Sequence, residues 1–379
     1  MSCVLRHVVV FGCLAGFAFA QPPDEIDFAK ARQLRQKMLA GETLTDEERA
    51  YLERAIQTRG RGARGARGAG APAVHGASTG WKPLSDMTAD DRYKGEDGGL
   101  YGGGRNEPPA EHLEAALRLA KEIRPRDSEG DPAADGRIAM ISIGMSNTTQ
   151  EFSQFVRLAN ESGKKSPRVV LVDGAQGGME AQSWAEAGAA RGGRRVDPWE
   201  VLDQRLRQAG VSPRQVQVAW IKQARRNPAS LGEYPKHADE LNGHMRVILR
   251  KLVEKFPNLR IAYLSSRIYA GHATGGLNPE PYAYESAFAV RKLILEQVKG
   301  NPDLNFGSLK AEVKSPLLLW GPYLWADGEK GRGTDDLVWR RDDLAGDGTH
   351  PSPSGRRKVA ERLLRFLETD PTAKTWFRE

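Results

Sequence analysis

From about residue 136 onward the chain alternates short apolar runs with longer stretches in which apolar residues recur at helical spacing. The runs are RIAMISI (137–143), RVVLVD (168–173), QVQVAWI (215–221), LRIAYLS (259–265) and PLLLWG (316–321). Helical spacing occupies about 149–161, 198–209, 236–255, 283–299 and 354–368, the last with Val359, Leu363, Phe366 and Leu367 on one face. Runs apolar on both faces, separated by helices, predict an α/β protein: a three-layer sandwich around a five-stranded parallel sheet. In such sheets the ligand sits beyond the carboxyl ends of the strands, so chemistry is to be sought just after each run.

Upstream the pattern changes three times. Residues 1–20 join Arg6 to an apolar core and end in Ala18-Phe19-Ala20, the arrangement of a secretory signal peptide cut after Ala20. Over 21–57, Ile26, Phe28, Ala31, Leu34 and Met38 predict one helix, stopped at Gly41. A capping box at Thr45-Asp-Glu-Glu48 starts a second, with Tyr51, Leu52 and Ile56 on its apolar side. Some 35 residues make no core of any size, so this is an appended helical hairpin. Residues 58–80 contain RGRGARGARGAGAP (59–72), four arginines without an acid, and form a flexible basic linker; weak contact with anionic envelope polymers is its functional alternative. The remaining 81–379 form the main domain. It opens with a glycine-rich surface loop, DRYKGEDGGLYGGGRNEPP, which lacks the spacing of a calcium loop and leads into a helix around Glu111–Ile123.

Composition narrows the chemistry. The only cysteines among the 379 residues, Cys3 and Cys13, fall in the signal segment, which removes disulfides, thiolate metal sites and cysteine nucleophiles from the mature chain. No later stretch approaches the roughly 20 apolar residues of a membrane helix. The net charge of +7 is concentrated in the linker, and export argues against nucleic acid as the partner. A soluble, secreted or periplasmic product follows.

The strand ends carry distinctive residues. After the first run comes Gly144-Met-Ser146-Asn147; after the second, DGAQGGMEAQSW with Gly177 and Gly178; after the third, Lys222 and Gln223; after the fourth, Arg267 and Tyr269. Before the closing helix stands Asp347-Gly-Thr-His350-Pro351. A serine hydroxyl needs a base, histidine serves at neutral pH, and a carboxylate three residues before it can curl back to fix its tautomer. The glycine at 348 permits that bend. A nucleophile elbow of the Gly-x-Ser-x-Gly type is excluded, because position 148 is Thr.

In these blocks the chain resembles the SGNH hydrolase superfamily, the GDSL-like esterases, over about residues 135–370. The resemblance implies a flavodoxin-like hydrolase fold and a triad of Ser146 as nucleophile, His350 as base and Asp347 as its orienter. It also implies an oxyanion hole from the Ser146 N–H, the Gly177 N–H and a third-block side chain. The third block departs from the family's Gly-x-Asn-Asp: this chain reads Ile221-Lys222-Gln223-Ala224, so Gln223 would take the asparagine's place. Carbohydrate esterases are where such departures are expected. The function implied is hydrolysis of acyl esters, acetyl foremost, on a small-molecule or polysaccharide substrate, without cofactor or metal. A non-catalytic carbohydrate-binding protein on this fold and an envelope docking protein are the alternatives.

Four further strand-end residues, Asn147, Lys222, Arg267 and Tyr269, are expected to contact substrate. His237, Glu240 and His244 lack the spacing of a zinc motif and read as a surface helix face. Trp320, Trp325 and Trp339 read as core, with a sugar-stacking platform as the alternative.

Overall fold

The computed structural model describes residues 75–378 apart from 192–193 and 308–311, together with scattered positions between 27 and 55. The expected signal segment, 1–20, and most of the expected basic linker, 58–80, lie outside the described residues. The chain divides into two units, Met1–Gly68 and Ala69–Glu379.

In the first unit the described residues of 29–34 and 47–55 are helical. Ala31, Leu34, Leu52 and Ala55 form a small buried cluster flanked by Tyr51. The Thr45 N–H donates to Glu48 Oε2 (3.0 Å) and the Glu48 N–H to Thr45 Oγ1 (3.2 Å), the reciprocal pair of a capping box.

The larger unit is built on strands β1 (Ile138–Gly144), β2 (Val169–Val172), β3 (Ala189–Arg191), β4 (Arg194–Val196), β5 (Val216–Lys222), β6 (Ile261–Ser265) and β7 (Leu317–Trp320). Five of them form one parallel sheet in the order β2-β1-β5-β6-β7, while β3 and β4 make a separate antiparallel pair that no apolar run announced. β1, β5, β6 and β7 are buried along their whole length, which is why their sequences are apolar on both faces.

The helices are α1 (Ala110–Glu122), α2 (Ser146–Glu161), α3 (Ala181–Ala185), α4 (Pro198–Gln208), α5 (Lys236–Lys255), α6 (Tyr282–Val298), α7 (Pro353–Thr369) and α8 (Lys374–Phe377). They pack in two sets: α2 against α7, with α8 and α1 beside them, and α5 against α6 and α3, with α4 beside α3. Right-handed crossovers put these sets on opposite faces of the sheet. The chain moves one way from β1 to β2 and the other way from β2 to β5, so the topological switch point lies between β1 and β5.

The carboxyl-terminal stretch of the expected linker belongs to this unit. Gly76 donates to the Gly271 carbonyl (3.0 Å), Ser78 Oγ to Asp327 Oδ2 and the Thr79 N–H to Asp327 Oδ1 (each 2.6 Å). Trp320, Trp325 and Trp339 are all buried, and each indole N–H is bonded internally, to Leu100 O, Glu280 Oε1 and Leu324 O. They are core, not a sugar platform. His237 departs from the expected surface face: it is buried with Nε2 2.6 Å from Glu285 Oε2, whose other oxygen accepts from Tyr93 Oη and Lys94 Nζ. The reason is its place near the start of α5, tucked against α6; His244 and Glu240, farther along, keep a half-buried and an exposed position.

Candidate active site

β1 ends at Gly144, and the chain turns through an extended Met145 directly into α2, whose first residue is Ser146. Gly144 is required there. A Cβ on it would collide with the Thr148 side chain and the Lys222 carbonyl on neighbouring β5. The turn is held from both sides: Gln176 N–H (3.1 Å) and Trp184 Nε1 (3.1 Å) donate to the Gly144 carbonyl, and Thr148 Oγ1 donates to Lys222 O (2.7 Å). Ser146 is left half-buried at the switch point, with its backbone N–H among those that the first turn of a helix cannot satisfy.

His350 comes to it from the loop before α7. Ser146 Oγ lies 2.8 Å from His350 Nε2, and His350 Nδ1 lies 2.6 Å from Asp347 Oδ2. The carboxylate at Nδ1 sets that nitrogen as the donor, which leaves Nε2 free to accept the serine proton. The other carboxylate oxygen takes the N–H groups of Thr349 and His350, both at 3.0 Å. Burial pulls the Asp347 pKa up, but the hydrogen bond and charge of His350 and the two N–H groups outweigh it and lower it to about 2. Gly348, between acid and base, has φ +65°, and a Cβ there would run into the His272 carbonyl. The loop is pinned further by Ala345 N–H to His350 O (2.7 Å) and Thr274 N–H to Asp347 O (3.1 Å).

Gly177 stands in the turn after β2, half-exposed beside Gly178, with its N–H donated to no acceptor among the described residues. That turn reaches the site because Gln176 is tied to Gly144, and the Ala181 N–H donates to Ala224 O (3.1 Å), next to Gln223. Gln223 is the first residue past β5, 3% exposed, and neither its Nε2 nor its Oε1 has a hydrogen-bond partner among the described residues. Register sets it beside the nucleophile turn: Gly144 pairs with Lys222, and Lys222 with Ser265.

The four residues expected at the rim are inside the protein instead. Asn147 is buried and donates its amide to Thr349 O (2.9 Å). Lys222 is wholly buried with Nζ 2.6 Å from both oxygens of an equally buried Glu151. Burial lowers the Lys222 pKa to about 8, with Glu151 acting against that fall. Arg267 is 1% exposed, its pKa lowered by burial. Tyr269 is buried with its hydroxyl on Gly76 O (2.8 Å). A residue can follow a strand end and still be covered, because the next loop folds over it.

Sequence reasoning missed Glu151, which anchors α2 to β5. It also missed Asp173 after β2, a half-buried carboxyl whose pKa desolvation raises and which accepts from Ser142 Oγ (2.6 Å) and Thr149 Oγ1 (2.5 Å). Each pairs with residues distant in sequence, so no local pattern marks it. Glu280 was missed likewise: it accepts from the Ala270 and Tyr284 N–H groups and from Trp325, and burial raises its pKa to about 7.

Among the described residues no cluster of three metal-ligating side chains occurs, and no helix is long and apolar enough to cross a membrane. No family model matches the chain, and no curated protein matches it. Its structure is similar to that of an α/β hydrolase enzyme from the metagenome of Lake Arreo, Spain (12% identity, TM-score 0.34, covering 64% of this chain and 99% of that one). It is also similar to an extracellular lipase from Streptomyces rimosus (9%, TM-score 0.27, 59% and 98%). A third likeness is to a signal recognition particle receptor with GDP and Mg from Chaetomium thermophilum (9%, TM-score 0.22, 60% and 97%). With identities and TM-scores this low, function rests on the site's own chemistry.

Proposed function

We propose that the chain is an exported serine esterase of SGNH type that removes acyl groups, acetyl foremost, from carbohydrate. The observation that carries this reading is the continuous chain from Ser146 Oγ through His350 to Asp347, at 2.8 and 2.6 Å, on the carboxyl edge of a parallel sheet. In this reading Ser146 Oγ attacks the acyl carbon while its proton passes to His350 Nε2. Asp347, ionised, stabilises the imidazolium. The N–H groups of Ser146 and Gly177 and the Gln223 amide receive the oxyanion. Collapse expels the alcohol, protonated by His350. Water then attacks the acyl-Ser146 carbon, gives its proton to His350, and the acid leaves as that proton returns to Ser146.

The part-exposed positions of Ser146, His350 and Asp347 support access by an external ester, and the signal-like segment supports a meeting with extracellular carbohydrate. A binding protein on the same fold is the second reading, favoured by the glutamine where the family carries asparagine. Purified chain should hydrolyse p-nitrophenyl acetate and release acetate from acetylated polysaccharides. Ser146→Ala should cut turnover by about 10⁴–10⁶. A folded wild type inert on both substrate classes would leave the binding reading in its place.

A further inference from the structure

The Arg267 guanidinium is a buried cation with few partners. It lies two residues past β6, and among the described residues its side chain makes a single hydrogen bond, from Nη2 to Thr349 O at a long 3.4 Å, while Nε has no partner. No carboxylate of the described residues lies within ion-pair distance of it. A desolvated charge held this loosely is costly, so its field rather than its hydrogen bonds is the reason to look for. We propose that Arg267 is a positioning residue: through the Thr349 carbonyl and through its charge it sets the geometry and electrostatics of the 347–350 loop. This rests on the triad reading above.

The peptide unit between Thr349 and His350 is the point of action. Its carbonyl accepts from Arg267 and from Asn147, the residue after the nucleophile, while its N–H donates to Asp347 Oδ1. Three elements therefore grip one peptide plane: α2 through Asn147, the post-β6 loop through Arg267, and the acid through its second oxygen. The plane carries the His350 side chain, so its tilt decides where Nε2 meets Ser146. Hydrogen bonds to a carbonyl also polarise the N–H of the same unit, which strengthens its bond to Asp347.

The charge acts alongside. Glu151 on α2, Glu280 before α6 and Asp347 in the loop all favour the guanidinium cation, and Lys222 at the end of β5 opposes it. The guanidinium thus sits in a group of charges that borders the triad loop, and its removal would leave the Thr349 carbonyl to Asn147 alone.

The test compares full-length wild type, Arg267→Gln and Arg267→Lys on the neutral ester p-nitrophenyl acetate, with the downfield His350 Nδ1–H resonance recorded by NMR. Arg267→Gln should lower kcat about 10–100-fold with KM within about twofold. The Nδ1–H resonance should shift, because the peptide unit that carries the ring loses one of its two carbonyl donors. Arg267→Lys keeps a charged donor without the planar fork, so it should recover part of kcat. A folded Gln variant with wild-type kcat and resonance overturns the proposal, and so does a rise in KM alone, which would make Arg267 a substrate contact. If Gln does not fold, Lys decides: reduced kcat with a shifted resonance supports the proposal, and wild-type kcat or an unshifted resonance overturns it. If wild type hydrolyses no ester but the resonance still shifts in Arg267→Gln, positioning stands and the esterase reading falls.

Discussion

In the 347–350 loop, polar groups are satisfied locally: Asp347 accepts from His350 Nδ1 and two N–H groups, and the Thr349 carbonyl accepts from Asn147 and Arg267. The neighbouring ends of β5 and β6 differ. There, among the described residues, Gln223 keeps both amide atoms without partners, the buried Ser266 hydroxyl has none, and neither has Arg267 Nε. Satisfied networks are rigid, and rigidity suits groups that must meet within hydrogen-bond distance before any substrate arrives. Buried donors left unpaired are costly at rest and gain most when an acceptor appears beside them. In the proposed esterase the satisfied loop would supply preorganisation, and Gln223, with its unpaired amide, would supply the response to a ligand.

That division can be broken by mutation, beginning where the effect is largest. Asp347→Asn keeps the shape of the satisfied loop but disturbs the His350 tautomer, and turnover of p-nitrophenyl acetate should fall by about 10⁴. Next comes the pair beneath both regions. Lys222→Met strips Glu151 of its cation in a site with no exposure, and urea unfolding should show a loss of about 3–5 kcal/mol. The double variant with Glu151→Leu should recover most of it, since the stranded charge is gone.

The responsive region is probed by Gln223→Ala. Its kcat should drop by about 10²–10³ with KM little changed, because the bond forms mainly to the oxyanion. Stability should hold or rise slightly, as a buried unpaired amide is removed. A kinetically silent Gln223→Ala would end its assignment to the oxyanion hole. A smaller effect is expected from Gly348→Ala, which forces a side chain into left-handed backbone against the His272 carbonyl; about 1–3 kcal/mol should be lost in thermal or urea melts.

The smallest effect concerns pH. Asp347 is held at about 2, below the roughly 3.9 of an unfolded aspartate, so its contribution to stability is fully present above about pH 4. It disappears as pH falls through about 2. Its side chain is 42% exposed and solvent screens it, so the amplitude is modest. Melts of wild type and Asp347→Asn between these pH values should converge toward the acid end.

Much of this architecture is legible from sequence because its signals are local. The five apolar runs lie within two residues of the strands β1, β2, β5, β6 and β7, since a strand covered on both faces must be apolar throughout. Ser146, Asp347 and His350 meet because strand ends in a parallel sheet share one edge and a three-residue loop with a glycine can fold an acid onto its histidine. The short β3–β4 pair carries no apolar run and left no mark.

Whether a strand-end residue faces solvent, however, was decided only by tertiary structure. Asn147, Arg267 and Tyr269 follow strands as Ser146 does and Lys222 ends one, yet the 347–350 loop, helix α2 and the segment 75–80 close over them. Their partners, Thr349, Glu151 and Gly76, stand 71 to 202 positions away along the chain. Periodicity and spacing encode which element forms and where it ends. Burial and pairing across such distances depend on which loops fold over the sheet edge, and that is a property of the packed chain alone.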